Sequence, residues 1–214
     1  MGEITREDDF GKAIIATCSN YGIKTVLEIG SWDGTGSTQC FIEGMKEHDN
    51  KRLVCLEVYV DRFKDLCNNT LKYDWVKCYN QSSISYANMI HKDFEEVWNS
   101  PYNFIPKLDE NGSTKLAASE WFNQDIEMII KFKSGYIEDH PDETYDAVLI
   151  DGGEFSGYSE FKLLKDRTNF FILDDYYNAF KTSQVEDELN TDINWEKIGG
   201  SKRTRNGWAI FKLK

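Results

Sequence analysis

A glycine-rich turn directly after a buried strand limits this chain to a small number of folds. Residues 24–29 read KTVLEI, and the pattern that follows is Glu28-x-Gly30-x-x-x-Gly34-x-Gly36. Glycine has no β-carbon, so a turn of this kind lets the backbone pass close to a bound ligand. A segment of helical periodicity follows at once. The pattern predicts a strand, a ligand-binding turn and a helix, which together open an α/β fold.

Short apolar segments alternate with helical segments along most of the chain. Seven strands are predicted, over residues 24–29, 52–57, 75–79, 145–150, 169–173, 195–198 and 208–213. Strands separated by helices favour a parallel sheet that is covered on both faces. Only a loop separates the last two strands, which predicts an antiparallel hairpin. We therefore expect a Rossmann-like, doubly wound α/β fold whose last strand is antiparallel.

The connection between the third and fourth predicted strands is longer than a crossover requires. It runs from residue 80 to residue 144, whereas about a dozen residues suffice for a crossover. Apolar residues at helical spacing occur near residues 86–97 and again near 122–130, and residues 100–113 between them are predicted as a loop. We expect one domain over residues 1–214, with a helical insertion over residues 83–139 that acts as a lid.

The charge of the chain limits its partners. Lys and Arg number 25 against 37 Asp and Glu, which gives a formal net charge of −12. A negatively charged protein is repelled by nucleic acid and by anionic membrane surfaces, so neither is an expected partner. The five cysteines form no paired motif and the N-terminus has no signal-peptide pattern, so we expect reduced thiols and a cytoplasmic protein. A small molecule is the expected partner, and the oligomeric state stays open.

Acidic and small polar residues at the strand ends favour a particular ligand. Glu28 can accept hydrogen bonds from an amino group, which suits the cationic methionine moiety of S-adenosylmethionine. An acid two residues before the first glycine disfavours a diphosphate, and so argues against a nicotinamide nucleotide. Glu57 ends the second strand, where an acid can bridge two ribose hydroxyls. The predicted cofactor-binding residues are Glu28, Gly30, Ser31, Gly34, Gly36, Glu57, Ser82 and Ser83.

Three carboxylates are predicted to meet on the opposite side of the site. Asp151 ends the fourth strand, and Asp174 and Asp175 end the fifth. Neighbouring parallel strands end at the same edge of a sheet, so these acids should converge. They repel one another unless a cation neutralises them, and carboxylate oxygens suit Mg²⁺ or Mn²⁺. Without a metal, Asp151 and Glu154 are placed to orient an acceptor directly.

The order of these features resembles the class I S-adenosylmethionine-dependent methyltransferase superfamily, over nearly the whole chain. The resemblance implies S-adenosylmethionine as donor and a strand order of 3-2-1-4-5-7-6. The acids look like those of metal-dependent O-methyltransferases of the catechol and sugar-modifying types. Many of those proteins have a Lys or His as general base three positions after the first metal aspartate, where this chain has Glu154. Glu154 is then the candidate base, with its pKa raised by neighbouring carboxylates, or a further metal ligand, or neither of these.

The expected function is metal-assisted O-methylation of a small hydroxylated acceptor, with a sugar as the leading guess. Aromatic and amide side chains near the acids are candidates for an acceptor pocket, namely Tyr158, Tyr176, Tyr177 and Asn178. The basic residues over 202–205 are either a grip for the phosphate of a nucleotide-linked sugar or a solvated hairpin tip. Two alternatives stay open: a metal-independent N- or O-methyltransferase of small molecules, and a non-catalytic domain that binds S-adenosylmethionine.

Overall fold

A seven-stranded mixed sheet forms the centre of the computed structural model, which describes residues 4–102, 113–177, 179–204 and 206–214. Within these residues the strand order is β3-β2-β1-β4-β5-β7-β6. The strands are β1 Thr25–Ile29, β2 Arg52–Leu56, β3 Val76–Tyr79, β4 Tyr145–Ile150, β5 Thr168–Asp174, β6 Trp195–Ser201 and β7 Trp208–Leu213. Strands β1 to β5 pair in parallel, and β7 runs antiparallel to both β5 and β6. The predicted fold class, strand order and antiparallel last strand are confirmed.

Helices cover both faces of the sheet. One face carries α1 Asp9–Tyr21, α2 Ser37–Met45 and α3 Val60–Thr70, and the other carries α4 Phe94–Asn99, α5 Ser113–Ile130, α6 Tyr136–Asp139, α7 Gly157–Leu164 and α8 Ser183–Thr191. Successive strand residues point to opposite faces, so Val26 packs on the face that carries α1 to α3 and Leu27 on the face that carries α4 to α8. The central strands are therefore buried on both faces, which explains why they read as mainly apolar runs, with Glu28 of β1 as a buried exception.

The first helix shows how local sequence sets the element boundaries. Asp8 is the N-cap residue of α1, and its carboxylate accepts a hydrogen bond from the Gly11 amide at 2.6 Å. Gly22 ends the helix in the left-handed conformation, with φ of +64°. Phe10 and Ile14 face the sheet and are fully buried, so the helix is held by both its caps and its apolar face.

The connection from β3 to β4 contains α4, α5 and α6. The helical spacing predicted from residue 86 onward gives only a short 3₁₀ turn at Tyr86–Asn88, and regular helix begins at Phe94. Met89 lies between the two and is buried although it is not helical. Helix α5 packs on the sheet through Phe122 and Ile129. Most of the predicted loop over 100–113 lies outside the described residues.

Backbone hydrogen bonds tie the loops together at the carboxyl edge of the sheet. The amides of Gly30 and Ser31 both donate to the carbonyl of Leu56, at 3.1 and 3.0 Å, and the amide of Asp151 donates to the carbonyl of Ile29 at 3.1 Å. The loop after β1 is thereby fixed to the end of β2, and the loop after β4 to the end of β1, as a ligand site at this edge requires. None of the described helices is long and apolar enough to cross a membrane.

Candidate active site

A cavity of about 530 Å³ opens at the carboxyl edge of the sheet. The loops that follow β1 to β5 line it, together with one face of α5. Its volume lies within the range of about 300 to 1,000 Å³ that is usual for pockets binding cofactors and small molecules. Most of the residues that the sequence singled out lie at this cavity, which is therefore the candidate active site.

The glycine turn forms one wall of the cavity. Gly30 has a φ of +87°, and a β-carbon built on it would lie 2.1 Å from the carbonyl oxygen of Asp151. Gly34 has a φ of +75° but packs against Leu66 of α3 instead of lining the cavity. Gly36, at the start of α2, lines the cavity. The turn is thus shaped by contacts with both its neighbours and the cavity.

Glu28 is fully buried beneath the turn, and its carboxylate accepts three hydrogen bonds from hydroxyls. The donors are Ser31 at 2.8 Å, Ser37 at 2.6 Å and Thr38 at 2.7 Å. Burial raises the pKa of Glu28, and the three hydroxyls act in the opposite direction. Glu28 does not line the cavity. The sequence analysis predicted that Glu28 contacts the ligand. In the structure its carboxylate instead binds Ser31 and the first turn of α2.

Glu57 lies at the end of β2 and faces the cavity. It is 4% exposed, and its carboxylate accepts a hydrogen bond from the Tyr59 amide at 2.8 Å. Burial raises the pKa of Glu57, although the Tyr59 amide and the nearby Arg62 both lower it. One oxygen is thereby fixed in place. This position agrees with the predicted contact to the ribose hydroxyls, which stays a prediction.

A cation–π pair beside Glu57 was missed by the sequence analysis. The guanidinium of Arg62 lies 3.0 Å from the ring centroid of Trp32 and 4.6 Å from that of Tyr59. All three residues line the cavity. Trp32 has a positive φ of +52°, which is uncommon for a residue with a large side chain. Trp32 is in the turn itself, so the aromatic residue between Gly30 and Gly34 was the available signal.

The polar residues after β3 use their side chains mainly within the protein. Asn80 donates to the carbonyls of Glu57 and Val58, at 2.8 and 3.0 Å, and so secures the loop that carries Glu57. The Ser82 hydroxyl donates to the carbonyl of Ile84 at 2.7 Å, and the Ser83 hydroxyl donates to Glu160 at 2.6 Å. Ser82 and Ser83 do line the cavity, but their hydroxyl protons are already engaged.

The three predicted metal ligands converge as expected. One carboxylate oxygen each from Asp151, Asp174 and Asp175 lies within 4.8 Å of the other two. Asp151 and Asp175 line the cavity, while Asp174 is buried behind them. Asp175 has a φ of +52°, the left-handed region that a β-carbon disfavours. This backbone conformation turns the chain sharply after β5.

A lysine that the sequence analysis did not consider lies between two of these acids. The Nζ atom of Lys181 is 2.9 Å from Asp151 Oδ1 and 2.9 Å from Asp175 Oδ2, and its side chain is 12% exposed. Burial alone would lower the pKa of Lys181, but Asp151, Asp175, Asp174 and Glu154 together raise it well above its usual range. Lys181 is therefore an ammonium ion at neutral pH.

The acids as arranged do not fit a divalent cation. Their oxygens are of the right chemical type, but the Lys181 ammonium already lies within hydrogen-bond distance of Asp151 and Asp175. Mg²⁺ would need to approach oxygens of the same carboxylates to about 2.1 Å, beside a positive charge that repels it. A metal could take this place only after Lys181 had moved away.

Glu154 lies at the same end of the cavity. Its Oε1 atom accepts hydrogen bonds from the amides of Phe180 and Lys181, at 2.7 and 3.3 Å. Burial raises the pKa of Glu154, and the neighbouring Lys181 lowers it. The sequence analysis attributed the raised pKa to neighbouring carboxylates; Asp175 does act in that direction, but burial is the larger cause.

Helix α5 supplies the wall opposite the glycine turn. Asp125 accepts a hydrogen bond from the Phe155 amide at 3.2 Å, and a β-carbon on Gly153 would lie 2.8 Å from its carboxylate. The glycines after β4 thus allow α5 to approach closely. Trp121, Gln124 and Met128 also line the cavity from this helix. The part of the insertion that follows residue 112 therefore reaches the site.

The aromatic and basic candidates that the structure describes do not line the cavity. Tyr158 donates to Glu188 at 2.8 Å, and neither it nor Tyr176 nor Tyr177 lines the cavity. Lys202 lies 5.1 Å from the Tyr177 ring centroid, and Thr204 donates to Asp9 at 2.7 Å, which ties the hairpin tip to α1. Two of the proposed residues, Asn178 and Arg205, fall outside the described residues.

Comparison with known proteins identifies the fold. No family model and no curated protein matches this chain. A candidate caffeoyl-CoA O-methyltransferase from Staphylococcus aureus superposes with a TM-score of 0.61 at 12% identity, over 97% of this chain and 84% of that one. An O-methyltransferase from Bacillus cereus in complex with SAH gives 0.59 at 14% identity, over 95% and 80%. TomG from Streptomyces achromogenes, an O-methyltransferase involved in tomaymycin synthesis and solved with SAM, gives 0.58 at 11%, over 95% and 79%. The chain therefore has the class I methyltransferase fold.

Proposed function

We propose that this protein is an S-adenosylmethionine-dependent O-methyltransferase that acts on a small hydroxylated molecule. The observation that carries the proposal is the cavity at the carboxyl edge of the sheet, where the Gly30 turn, Glu57 and Asp151 meet. This edge is the ligand-binding edge of an open α/β sheet. Solved O-methyltransferases that share the fold, two of them with SAH or SAM bound, support the same assignment.

The charge of the cavity suits a cationic donor. Six acids line it against two cations, Arg62 and Lys181; the acids are Glu57, Asp125, Asp151, Glu154, Glu160 and Asp175. S-adenosylmethionine supplies a methyl group on a positively charged sulfonium and also carries an α-ammonium. An excess of carboxylates favours such a ligand over a dinucleotide, whose diphosphate they would repel.

The residues around Glu154 are placed to activate the acceptor. A hydroxyl must lose its proton as its oxygen bonds to the methyl carbon and the bond from that carbon to sulfur breaks. Glu154 is our candidate for the group that takes the proton, because it lines the cavity and burial raises its pKa. Asp151, held in place by Lys181, is positioned to orient the hydroxyl.

The acceptor side of the cavity is formed largely by α5. We propose that residues 83–139 form a lid within the single domain and that the cavity-lining face of α5 contacts the acceptor. The cavity wall offers polar side chains such as Gln124 and Asp125, which supports a hydroxylated acceptor, and a sugar stays the leading class. Lys202 and Arg203 of the hairpin do not line the cavity, so we do not include a phosphate grip in the proposal.

Separate measurements test donor binding, methyl transfer and metal dependence. Calorimetry with S-adenosylhomocysteine on the wild type should show binding that does not depend on Mg²⁺. A panel of phenols, sugars and amines, with release of S-adenosylhomocysteine as the readout, then identifies the acceptor. Glu154→Gln should lower turnover by about a hundredfold or more and leave donor affinity within a factor of about two. The control Glu47→Gln, at an exposed position, should leave both turnover and donor affinity within a factor of about two. Donor binding without turnover on any acceptor would favour the non-catalytic alternative, and no donor binding would refute the proposal.

A further inference from the structure

Backbone contacts fix the position of Lys181. Its amide donates to Glu154, and a β-carbon on Gly157 would lie 2.2 Å from its carbonyl oxygen, so the backbone of Lys181 packs directly on the start of α7. The next residue, Thr182, donates to the carbonyl of Asp174 at 2.6 Å. A lysine on a freely moving loop would have none of these constraints. The backbone contacts therefore aim the side chain between Asp151 and Asp175.

Among the described residues, Lys181 is the cation that forms ion pairs with these acids. Its ammonium bonds Asp151 and Asp175, and Asp174 lies directly behind. The three acids would repel one another without a positive charge among them. A side-chain ammonium provides that charge without a metal. Lys181 also lines the cavity, and of its three N–H donors the described residues take two through these ion pairs, so one can reach an oxygen of a bound molecule.

We propose that Lys181 is the resident cation of this site, that it takes the place of a divalent metal, and that it binds the acceptor oxygen directly. This inference rests on the proposed function. An ammonium donates a hydrogen bond to one oxygen, whereas a metal would chelate two adjacent oxygens. The acceptor class is therefore a molecule with one reacting hydroxyl that needs no neighbouring hydroxyl, and turnover needs no divalent ion.

The test measures Mn²⁺ binding by electron paramagnetic resonance on the whole chain, without any acceptor. The wild type should bind Mn²⁺ only weakly, with no bound signal at submillimolar concentration. Lys181→Met keeps the length of the side chain and removes its charge, so this variant should bind Mn²⁺ roughly a hundredfold more tightly than the wild type. Lys181→Arg keeps the charge and should behave like the wild type. Adding Asp151→Asn to Lys181→Met should abolish the gained binding.

A second measurement keeps the inference open to refutation if Lys181→Met does not fold. The thermal midpoint of the wild type should be the same in EDTA and in submillimolar Mg²⁺ or Mn²⁺, because no metal binds the folded protein at that concentration. Mn²⁺ binding by the wild type as tight as that of Lys181→Met, or a midpoint raised by metal, would overturn the inference. Binding of S-adenosylhomocysteine is measured on the same sample, and its absence would count against the proposed function alone.

Discussion

Gly30 and Asp151 lie so close together that a β-carbon at residue 30 would come within 2.1 Å of the Asp151 carbonyl oxygen. The backbone of β1 thus meets the backbone after β4 at the cavity, between the sides proposed for the donor and for the acceptor. The amide of Asp151 also donates a hydrogen bond to the carbonyl of Ile29 at 3.1 Å. The glycine at position 30 therefore serves the junction of two strands as well as any ligand that lies against the turn.

Replacing Gly30 with alanine should damage both folding and donor binding. The positive φ and the clash together should lower the free energy of unfolding by about 3 kcal/mol or more. Gly22→Ala is the matched control, because Gly22 also has a positive φ but has nothing within 4 Å of its β-carbon position. It should cost about 1 kcal/mol and leave donor affinity unchanged. Urea unfolding and calorimetry measure the two effects, and equal losses in both variants would contradict the assignment.

Truncating Glu57 should weaken donor binding without unfolding the protein. If its carboxylate accepts hydrogen bonds from the ribose, Glu57→Ala should reduce the affinity for S-adenosylhomocysteine by roughly 10- to 100-fold, as expected for hydrogen bonds to a charged group. An analogue of S-adenosylhomocysteine that lacks one ribose hydroxyl should bind the wild type more weakly than S-adenosylhomocysteine does. The variant should bind the two compounds with similar affinity. Glu57 has no such role if the variant retains wild-type affinity in calorimetry.

Replacing Glu28 should lower the stability of the protein, and should weaken donor binding only through that loss of stability. Glu28→Ala leaves the buried hydroxyls of Ser31, Ser37 and Thr38 without their acceptor, so the free energy of unfolding should fall by about 3 kcal/mol. Glu28→Gln keeps one acceptor oxygen and should lose less. Donor affinity should fall in step with stability, because the turn is loosened. A large loss of affinity at unchanged stability would instead show that Glu28 touches the ligand.

Glu160 should make the protein less stable as the pH rises. It is buried, Ser83 and Ser156 donate to its Oε1 atom, and burial raises its pKa above 4.5. The favourable contribution of its protonated form is complete below pH 4.5, the unfolded value, and is lost as the pH rises through the folded pKa. Glu160→Gln should therefore raise the thermal midpoint near pH 8, with a gain that shrinks towards pH 5. A gain that is constant with pH would refute this assignment.

Strands were easier to predict than the residues that surround the site. Strands β1, β2, β4 and β5 are mainly apolar because both faces of the sheet are covered there, so Val26 on one face and Leu27 on the other are both fully buried and the segment stands out. The strand order came from the family resemblance. The segment around Met89 misled the prediction, because tertiary packing buries this residue in a non-helical stretch that shares helical spacing.

Lys181 could not be found from spacing, since 30 residues and one whole strand separate it from Asp151. The available signal was the charge itself: three converging acids require a cation, and a lysine from the following loop meets that requirement as well as a metal does. Glu28 shows the converse difficulty. Its position at the end of β1 was predicted, but which way the carboxylate turns depends on Ser37 and Thr38 in the next helix.

The Phe155 amide donates a hydrogen bond to Asp125 and so helps to fix α5, the helix that we propose contacts the acceptor. Its other cavity-lining side chains can then be exchanged without moving the helix. Helix α5 is anchored by this bond and by its buried face, so the cavity-facing positions Trp121, Gln124 and Met128 can be varied as a set. Such a library would leave the junction of β1 and β4 untouched. New substrate ranges should therefore arise from exchanges within a single helix, while the donor half keeps its affinity.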